Sequence, residues 1–172
     1  MGAGDEIMII QIVAVDEKYG IGKKGRIPWP SIKEDMRLFR TMTTGHEVVM
    51  GRKTMNSLPD RKALKNRTNC VLSNTTSKEE LEKDSFYLVT LKDVRIWMKK
   101  HRPVYIIGGA SLYKEFGEDS NFIYMSRIPG NYDCDVFYPK ENLLNYDLVD
   151  TIKYSEFDLE IYRNKQNYML HD

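Results

Sequence analysis

The sequence predicts an α/β protein. It reads as one domain over residues 1–172, with a central, mainly parallel twisted sheet of about eight strands, helices on both faces and a C-terminal antiparallel hairpin. Three observations predict it. Short β-branched apolar runs alternate with segments of helical period. Glycines cluster where those runs stop. Beyond Pro139 the runs become alternating and aromatic-rich, with no helix signal between them.

Taken in order, Ile7–Val15 is nearly continuous in apolar residues and reads as a buried strand, punctuated by Gly20, Gly22 and Gly25. Ser31 with Glu34 forms a capping-box pattern, and Ile32, Met36 and Phe39 then share a helix face that Gly45 ends. Glu47–Met50 is a strand running into Gly51, and Asn69–Leu72 is another. Ser77 with Glu80 opens a second capped helix. Phe86–Val89 reads as a strand, Lys92–Lys100 as a helix and Val104–Ile107 as a very apolar strand stopping at Gly108-Gly109. Ala110–Phe116 is helical in pattern and Phe122–Ser126 strand-like. Tyr146–Ile152 and Asp158–Met169 form the closing antiparallel pair. Residues 1–6 read as a loose extension.

Composition excludes several functions. With 41% hydrophobic and 30% charged residues, the chain has the make-up of an ordinary globule rather than a disordered one. Lys and Arg number 26 against 25 Asp and Glu, so a nucleic-acid surface is not expected as its main partner. That balance hides a local excess: residues 51–70 hold Arg52, Lys53, Arg61, Lys62, Lys65 and Arg67 against Asp60 alone. Two cysteines, Cys70 and Cys134, make no disulfide framework and read as small hydrophobes. Ile7–Val15 falls far short of the ~20 apolar residues of a membrane span, and the first residues show no targeting pattern. A cytoplasmic protein is expected. His46, His101 and His171 lack metal-ligand spacing, so no metal is expected.

Three motifs bear on chemistry. Gly20-Ile21-Gly22-Lys23-Lys24-Gly25 spells a dinucleotide fingerprint, but Pro28-Trp29-Pro30 forbids the helix that must follow. A glycine-rich lid anchored by rigid prolines is the better reading. Gly108-Gly109 lies between a buried strand and a helix, which suits either a phosphate cradle or a tight turn. Gly51-Arg52-Lys53-Thr54 brings a glycine, two cations and a hydroxyl to the end of a strand, where a nucleotide phosphate binds well. Asp35 sits one position before Met36 and four before Phe39. An acid on that edge of a helix needs a partner, or its pKa rises.

Together these pieces resemble the dihydrofolate reductase family. Ile12-Val13-Ala14-Val15, Gly20-Ile21-Gly22, Pro28-Trp29-Pro30, Asp35 with Phe39, and Val49-Met50-Gly51-Arg52-Lys53-Thr54 carry the likeness. It continues through Leu64-Lys65-Asn66-Arg67, Val71-Leu72-Ser73, Ile106-Ile107-Gly108-Gly109 with Tyr113, and Asp135 with Tyr138-Pro139. The pieces keep family order and spacing from about residue 8 to residue 168.

The resemblance implies reduction of 7,8-dihydrofolate to tetrahydrofolate, with NADPH as cofactor. Asp35 matches the acid that grips the pterin, Trp29 the residue ordering a water beside it, and Ser126 stands where the family usually has Thr. Ile12, Val13, Ala14, Met36, Phe39, Leu58, Leu64, Ile107 and Tyr113 match the substrate's surroundings. Arg67 matches the cation forked onto the glutamate carboxylate. Ala14, Ile21 and Gly22 match the nicotinamide end of the cofactor site. Gly51, Arg52, Lys53, Thr54, Leu72, Ser73 and Asn74 match its phosphate and adenosine contacts. Gly108, Gly109, Ala110, Ser111 and Leu112 match the glycine pair, joined by a cis peptide in the family, and the helix after it. The family often carries a base at the place of Asn74, so selectivity for the 2′-phosphate would rest on Arg52.

The partners implied are a small-molecule substrate and antifolate inhibitors, with no membrane and a monomeric state. Two other readings fit the residues less well. A related pyridine-nucleotide reductase acting on a pyrimidine conflicts with Trp29, Asp35 and Arg67. A catalytically silent nucleotide- or RNA-binding protein conflicts with the intact Asp35 and Gly108-Gly109.

Overall fold

The structure is a computed structural model that describes residues 8–97 and 103–168. The expected N-terminal extension, the end of the helix expected over residues 92–100, His101, His171 and Met169 lie outside the described residues.

An eight-stranded sheet organises the chain. Its first strand, β1 (Ile9–Val15), is central because almost every side chain along it is apolar and buried, as a strand covered on both faces requires. Around it run the short β2 (Gly20–Gly22), β3 (Glu47–Gly51), β4 (Thr68–Leu72), β5 (Phe86–Val89), β6 (Val104–Ile106) and β7 (Phe122–Arg127). The chain closes through β8 (Val136–Phe137), β9 (Tyr146–Lys153) and β10 (Asp158–Asn164). The large sheet has the order β5-β4-β3-β6-β1-β7-β10-β9, and β2 pairs separately with β8. Neighbours from β5 through β7 are parallel, whereas β10 runs antiparallel to both β7 and β9. The expected sheet and its closing hairpin are therefore present, with β10 ending at Asn164 and a 3-10 turn over Lys165–Tyr168.

Helices α1 (Lys33–Thr43), α2 (Arg52–Ser57), α3 (Lys78–Lys83), α4 (Leu91–Trp97) and α5 (Ala110–Glu115) lie between the strands. Alternation along β1 divides the core. Ile9, Val13 and Val15 pack with Val94, Leu112 and Phe116 on the side of α4 and α5. Ile10 and Ile12 pack with Met42, Met55 and Leu81 on the side of α1, α2 and α3. Each fully buried side chain such as Ile9, Val48 or Phe86 contributes ~1.5–3 kcal/mol relative to an exposed one.

Two local expectations meet different outcomes. Ser77 caps α3, accepting from the Glu80 amide at 3.2 Å. Ser31 does not cap α1. The helix starts one residue later with Ile32 in extended geometry at its N-cap, and Glu34 instead accepts from the Ser155 hydroxyl at 2.5 Å. Glu34 and Asp35 still serve the helix by placing negative charge in its first turn.

The glycine-rich segment is more ordered than an open loop. Gly20 and Gly22 pair with Phe137 and Val136, and Lys23 exchanges backbone hydrogen bonds with Arg26 at 2.8 and 3.0 Å. Lys24 and Gly25, at φ 51° and 77°, form the tip, and two positive φ values are what a tight hairpin turn needs. Only Gly25 uses glycine's conformational freedom here. Gly20 is required for space, since a Cβ there would overlap Cys134. The buried Asp16 carboxylate ties the hairpin's base to the following loop, accepting from the amides of Lys18 (2.9 Å), Gly20 (2.8 Å) and Tyr132 (3.0 Å).

Candidate active site

The C-terminal half of β1 sets the site's position. Its ladder with β7 puts Ala14 beside Ser126, and α1 meets that position through Asp35. The Ser126 hydroxyl, almost wholly buried, donates to Asp35 Oδ1 at 2.6 Å. That length is typical of a hydroxyl bound to a carboxylate. Burial raises the Asp35 carboxyl above its ordinary range, and the Ser126 hydrogen bond opposes the rise. Trp29 packs edge-to-face on Tyr132, with ring centroids 5.7 Å apart. Its cluster includes Ala14, Ile32 and Leu38, which flank Ser126 and Asp35 in the ladder and along α1.

An apolar wall adjoins the acid. Ile12, Leu58, Leu64 and Ile107 are half-buried around the core cluster on the α1 side of the sheet. Phe39 is half-buried on α1, whereas Met36 is exposed. Val13 lies on the opposite face. Its side chain is buried in the cluster with Leu112 and Tyr113, so only its backbone faces the expected substrate side. Tyr113 is also buried, and its hydroxyl donates to the Ile12 carbonyl at 2.7 Å.

Arg67 stands at the outer end of this wall. Its guanidinium lies 5.9 Å from the centre of the Phe39 ring. Nε donates to the Lys65 carbonyl at 2.8 Å, and Nη1 to the Thr43 hydroxyl at 3.1 Å. Thr43 in turn donates to the Phe39 carbonyl at 2.8 Å. Burial, and then the charge of Arg40, lower the guanidinium's affinity for its proton. An anionic partner would relieve that positive crowding.

The two glycine motifs meet on the other side. Gly51 N donates to the Gly108 carbonyl at 2.9 Å, and the Gly108-Gly109 bond is cis. Gly108 has φ 122°, and a Cβ there would lie 3.3 Å from both Thr54 Oγ1 and Tyr113 Oη. The first turns of α2 (Arg52, Lys53, Thr54) and α5 (Ala110, Ser111) thus begin beside each other, with the buried Leu112 behind them. Arg52 reaches the turn after β4, donating to Thr76 at 3.1 Å and to Glu80 at 3.2 Å. Ser73 Oγ accepts from the amides of Thr75 and Thr76 in that turn, half-buried Leu72 precedes it, and Asn74 is exposed. The starts of α2 and α5, the Thr54 hydroxyl and the Arg52 guanidinium bring together groups whose chemistry suits the phosphates and ribose of a dinucleotide. Ile21 packs partly buried on the α5-side core, and Gly22 O accepts from Asp135 N at 2.9 Å, so the hairpin stands over the same end of the sheet.

Sequence reasoning missed Thr43 and Asn69, which fix Arg67 and its loop. Thr43 lies 24 residues from Arg67, and no local pattern announces that contact.

Fold and site together define a nucleotide-binding α/β protein with a half-buried acid, Asp35, held by the Ser126 hydroxyl at the end of the central strands. A family model described as dihydrofolate reductase matches residues 8–168, and the chain belongs to that family. The chain is 38% identical over 156 residues to the dihydrofolate reductase of Schistosoma mansoni, covering 81% of this chain and 83% of that one. It is 35% identical to the enzyme of Sus scrofa over 80% of this chain and 82% of the relative. For a viral dihydrofolate reductase of Saimiriine herpesvirus 2 (strain 488) the identity is 37%, over 80% and 71%. Among solved structures, a dihydrofolate reductase from Enterococcus faecalis, complexed with NADP(H) and RAB-propyl, shares the fold. The TM-score is 0.78 at 24% identity, over 91% of this chain and 96% of that one.

Proposed function

We propose that the reaction of this family runs here through Asp35. The chain is an NADPH-dependent dihydrofolate reductase that converts 7,8-dihydrofolate to 5,6,7,8-tetrahydrofolate, the carrier form used in one-carbon metabolism. NADPH, when bound, supplies the hydride that goes to C6 of the pterin. The Asp35 carboxylate holds the 2-amino group and N3 of the pterin and favours a proton at N5. Ser126 donates to one carboxylate oxygen of Asp35, and both oxygens keep a lone pair for the two ring donors. Trp29 closes the slot beside them. Ile12, Ala14, Phe39, Leu58, Leu64 and Ile107 exclude water and keep the ring flat against the sheet. Arg67 takes the glutamate carboxylate. Gly51, Thr54, Gly108, Gly109, Ala110 and Ser111 line the pyrophosphate path, and Arg52, Lys53 and Ser73 receive the 2′-phosphate side. The hairpin Gly20–Arg26 covers the reacting atoms.

The observation that carries this assignment is the 2.6 Å Ser126–Asp35 bond, where a buried hydroxyl is spent on orienting one acid. The same reading makes the whole chain one working unit, cytoplasmic, monomeric and open to antifolates that mimic the pterin. No helix among the described residues is long and apolar enough to cross a membrane. The test is the loss of NADPH absorbance on adding dihydrofolate, repeated with NADH and with Asp35→Asn. Robust oxidation of NADPH, weaker use of NADH and near-silence of the variant are expected. A variant with near-normal turnover would remove Asp35 from the mechanism.

A further inference from the structure

We infer that Asn69 is a positioning residue for the substrate's carboxylate, acting through Arg67; this rests on the assignment of Arg67 given above. Asn69 lies in β4, paired with Val48 on one side and Phe86 on the other, and it is 2% exposed. A buried primary amide in an apolar strand needs partners for its donors and its acceptor. It finds them all in one loop. Oδ1 accepts from the Leu64 amide at 2.9 Å, while Nδ2 donates to the carbonyls of Leu64 at 2.9 Å and of Arg67 at 3.0 Å. This donor and acceptor pattern fixes the amide's orientation.

The rest of the loop is held at Asn66 and through the Arg67 side chain. Asn66 sits at φ 62°, the Asn66 carbonyl accepts from Gly45 at 2.7 Å, and Lys65 and Asn66 are exposed. Asn69 therefore grips both ends of a four-residue turn whose two functional side chains, Leu64 and Arg67, face the substrate slot. Arg67 then takes the aim of its fork from Thr43, the Lys65 carbonyl and the Phe39 ring. A bidentate contact depends on that aim, because a planar guanidinium tilted away from the carboxylate plane loses one of its two bonds. Since the carboxylate is remote from the reacting carbon, its contact is the same in ground and transition states. Its loss shows in KM rather than in turnover.

The experiment compares Asn69→Ala and Asn69→Asp with the parent on two substrates, dihydrofolate and dihydropteroate, which lacks the glutamate. Asp keeps the side-chain oxygen and the volume while losing both donated bonds. The expected result is a rise of roughly tenfold in the KM for dihydrofolate, with kcat and the KM for NADPH little changed and a much smaller rise for dihydropteroate, which meets Leu64 but not Arg67. In an Arg67→Leu background the same substitutions should raise the dihydrofolate KM no more than they raise the dihydropteroate KM. Equal losses on both substrates would reduce Asn69 to a fold-stabilising residue and overturn the inference, as would unchanged KM in both variants. If Arg67→Leu itself left the dihydrofolate KM unchanged, the Arg67 assignment would fail instead. The two failures are thereby separate.

Discussion

Replacing Ser126 by alanine removes one oxygen atom and little else. The side chain is 4% exposed on β7, between Ala14 and Leu159 in the ladder, so the backbone has no reason to move. What disappears is the 2.6 Å bond to Asp35 Oδ1. A hydrogen bond to a charged group contributes about 1.5–3 kcal/mol. The bond exists in the free enzyme, so its loss lowers kcat/KM by the part of that contribution gained on reaching the transition state, at most roughly 10- to 150-fold at neutral pH. The bond also opposes the burial that raises the Asp35 carboxyl. Its removal must move the ionisation seen in the pH profile of kcat/KM further upward. Ser126→Thr restores the hydroxyl and should keep parental rates, since a β-branched side chain narrows the rotamers open to that oxygen. The assay is steady-state NADPH oxidation at saturating cofactor across the pH range. An alanine variant within twofold of the parent, with an unshifted profile, would refute the reasoning. So would a threonine variant that falls as far as alanine.

Two further outcomes follow from the titrating groups. Asp35 is raised by burial, so its ionisation costs folding free energy that grows as pH rises from the ordinary carboxylate range through its folded value. Asp35→Asn should therefore melt at a higher temperature than the parent at neutral pH, and the advantage should vanish in acid. A lower melting temperature at both pH values would contradict this. Asp16 has the opposite sign. Burial alone would raise it, but the amides of Tyr132, Gly20 and Lys18 and the Cys134 thiol outweigh that and hold it below its ordinary value. Its stabilising contribution is complete above the ordinary carboxylate range and is lost as pH falls through the folded value. Asp16→Asn should lower stability by about 1–3 kcal/mol at neutral pH and flatten the acid limb of the melting curve. A parallel acid limb in the variant would count against the assignment.

Much of this site was legible because its chemistry uses residue types at short spacings. Asp35 on the core edge of α1, glycines at strand ends and a basic cluster over residues 51–70 are all visible in a linear reading. The capping pattern at Ser77 held because α3 begins at the next residue, Lys78, and Ser77 accepts from the Glu80 amide. At Ser31 the same pattern failed, since the helix begins at Lys33 and Glu34 is drawn to Ser155, 121 residues away. Long-range partners account for the other omissions. Thr43 is found by Arg67 across 24 residues, and the β2–β8 pairing joins segments whose strands are only three and two residues long, too short to show a period. Gly20 illustrates a subtler limit. The sequence suggested freedom of rotation there, whereas the fold demands the absence of a side chain beside Cys134.

The bond from the Tyr113 hydroxyl to the Ile12 carbonyl has a thermodynamic consequence. It joins the helix that follows Gly108-Gly109 to the central strand β1, with Tyr113 buried and Ile12 half-buried. Gln11 and Asn142 reinforce the junction by donating to the Tyr113 carbonyl at 3.0 and 2.9 Å. These bonds tie the start of α5 to β1 within one network, so a substitution at Tyr113 would disturb the proposed substrate and cofactor platforms together.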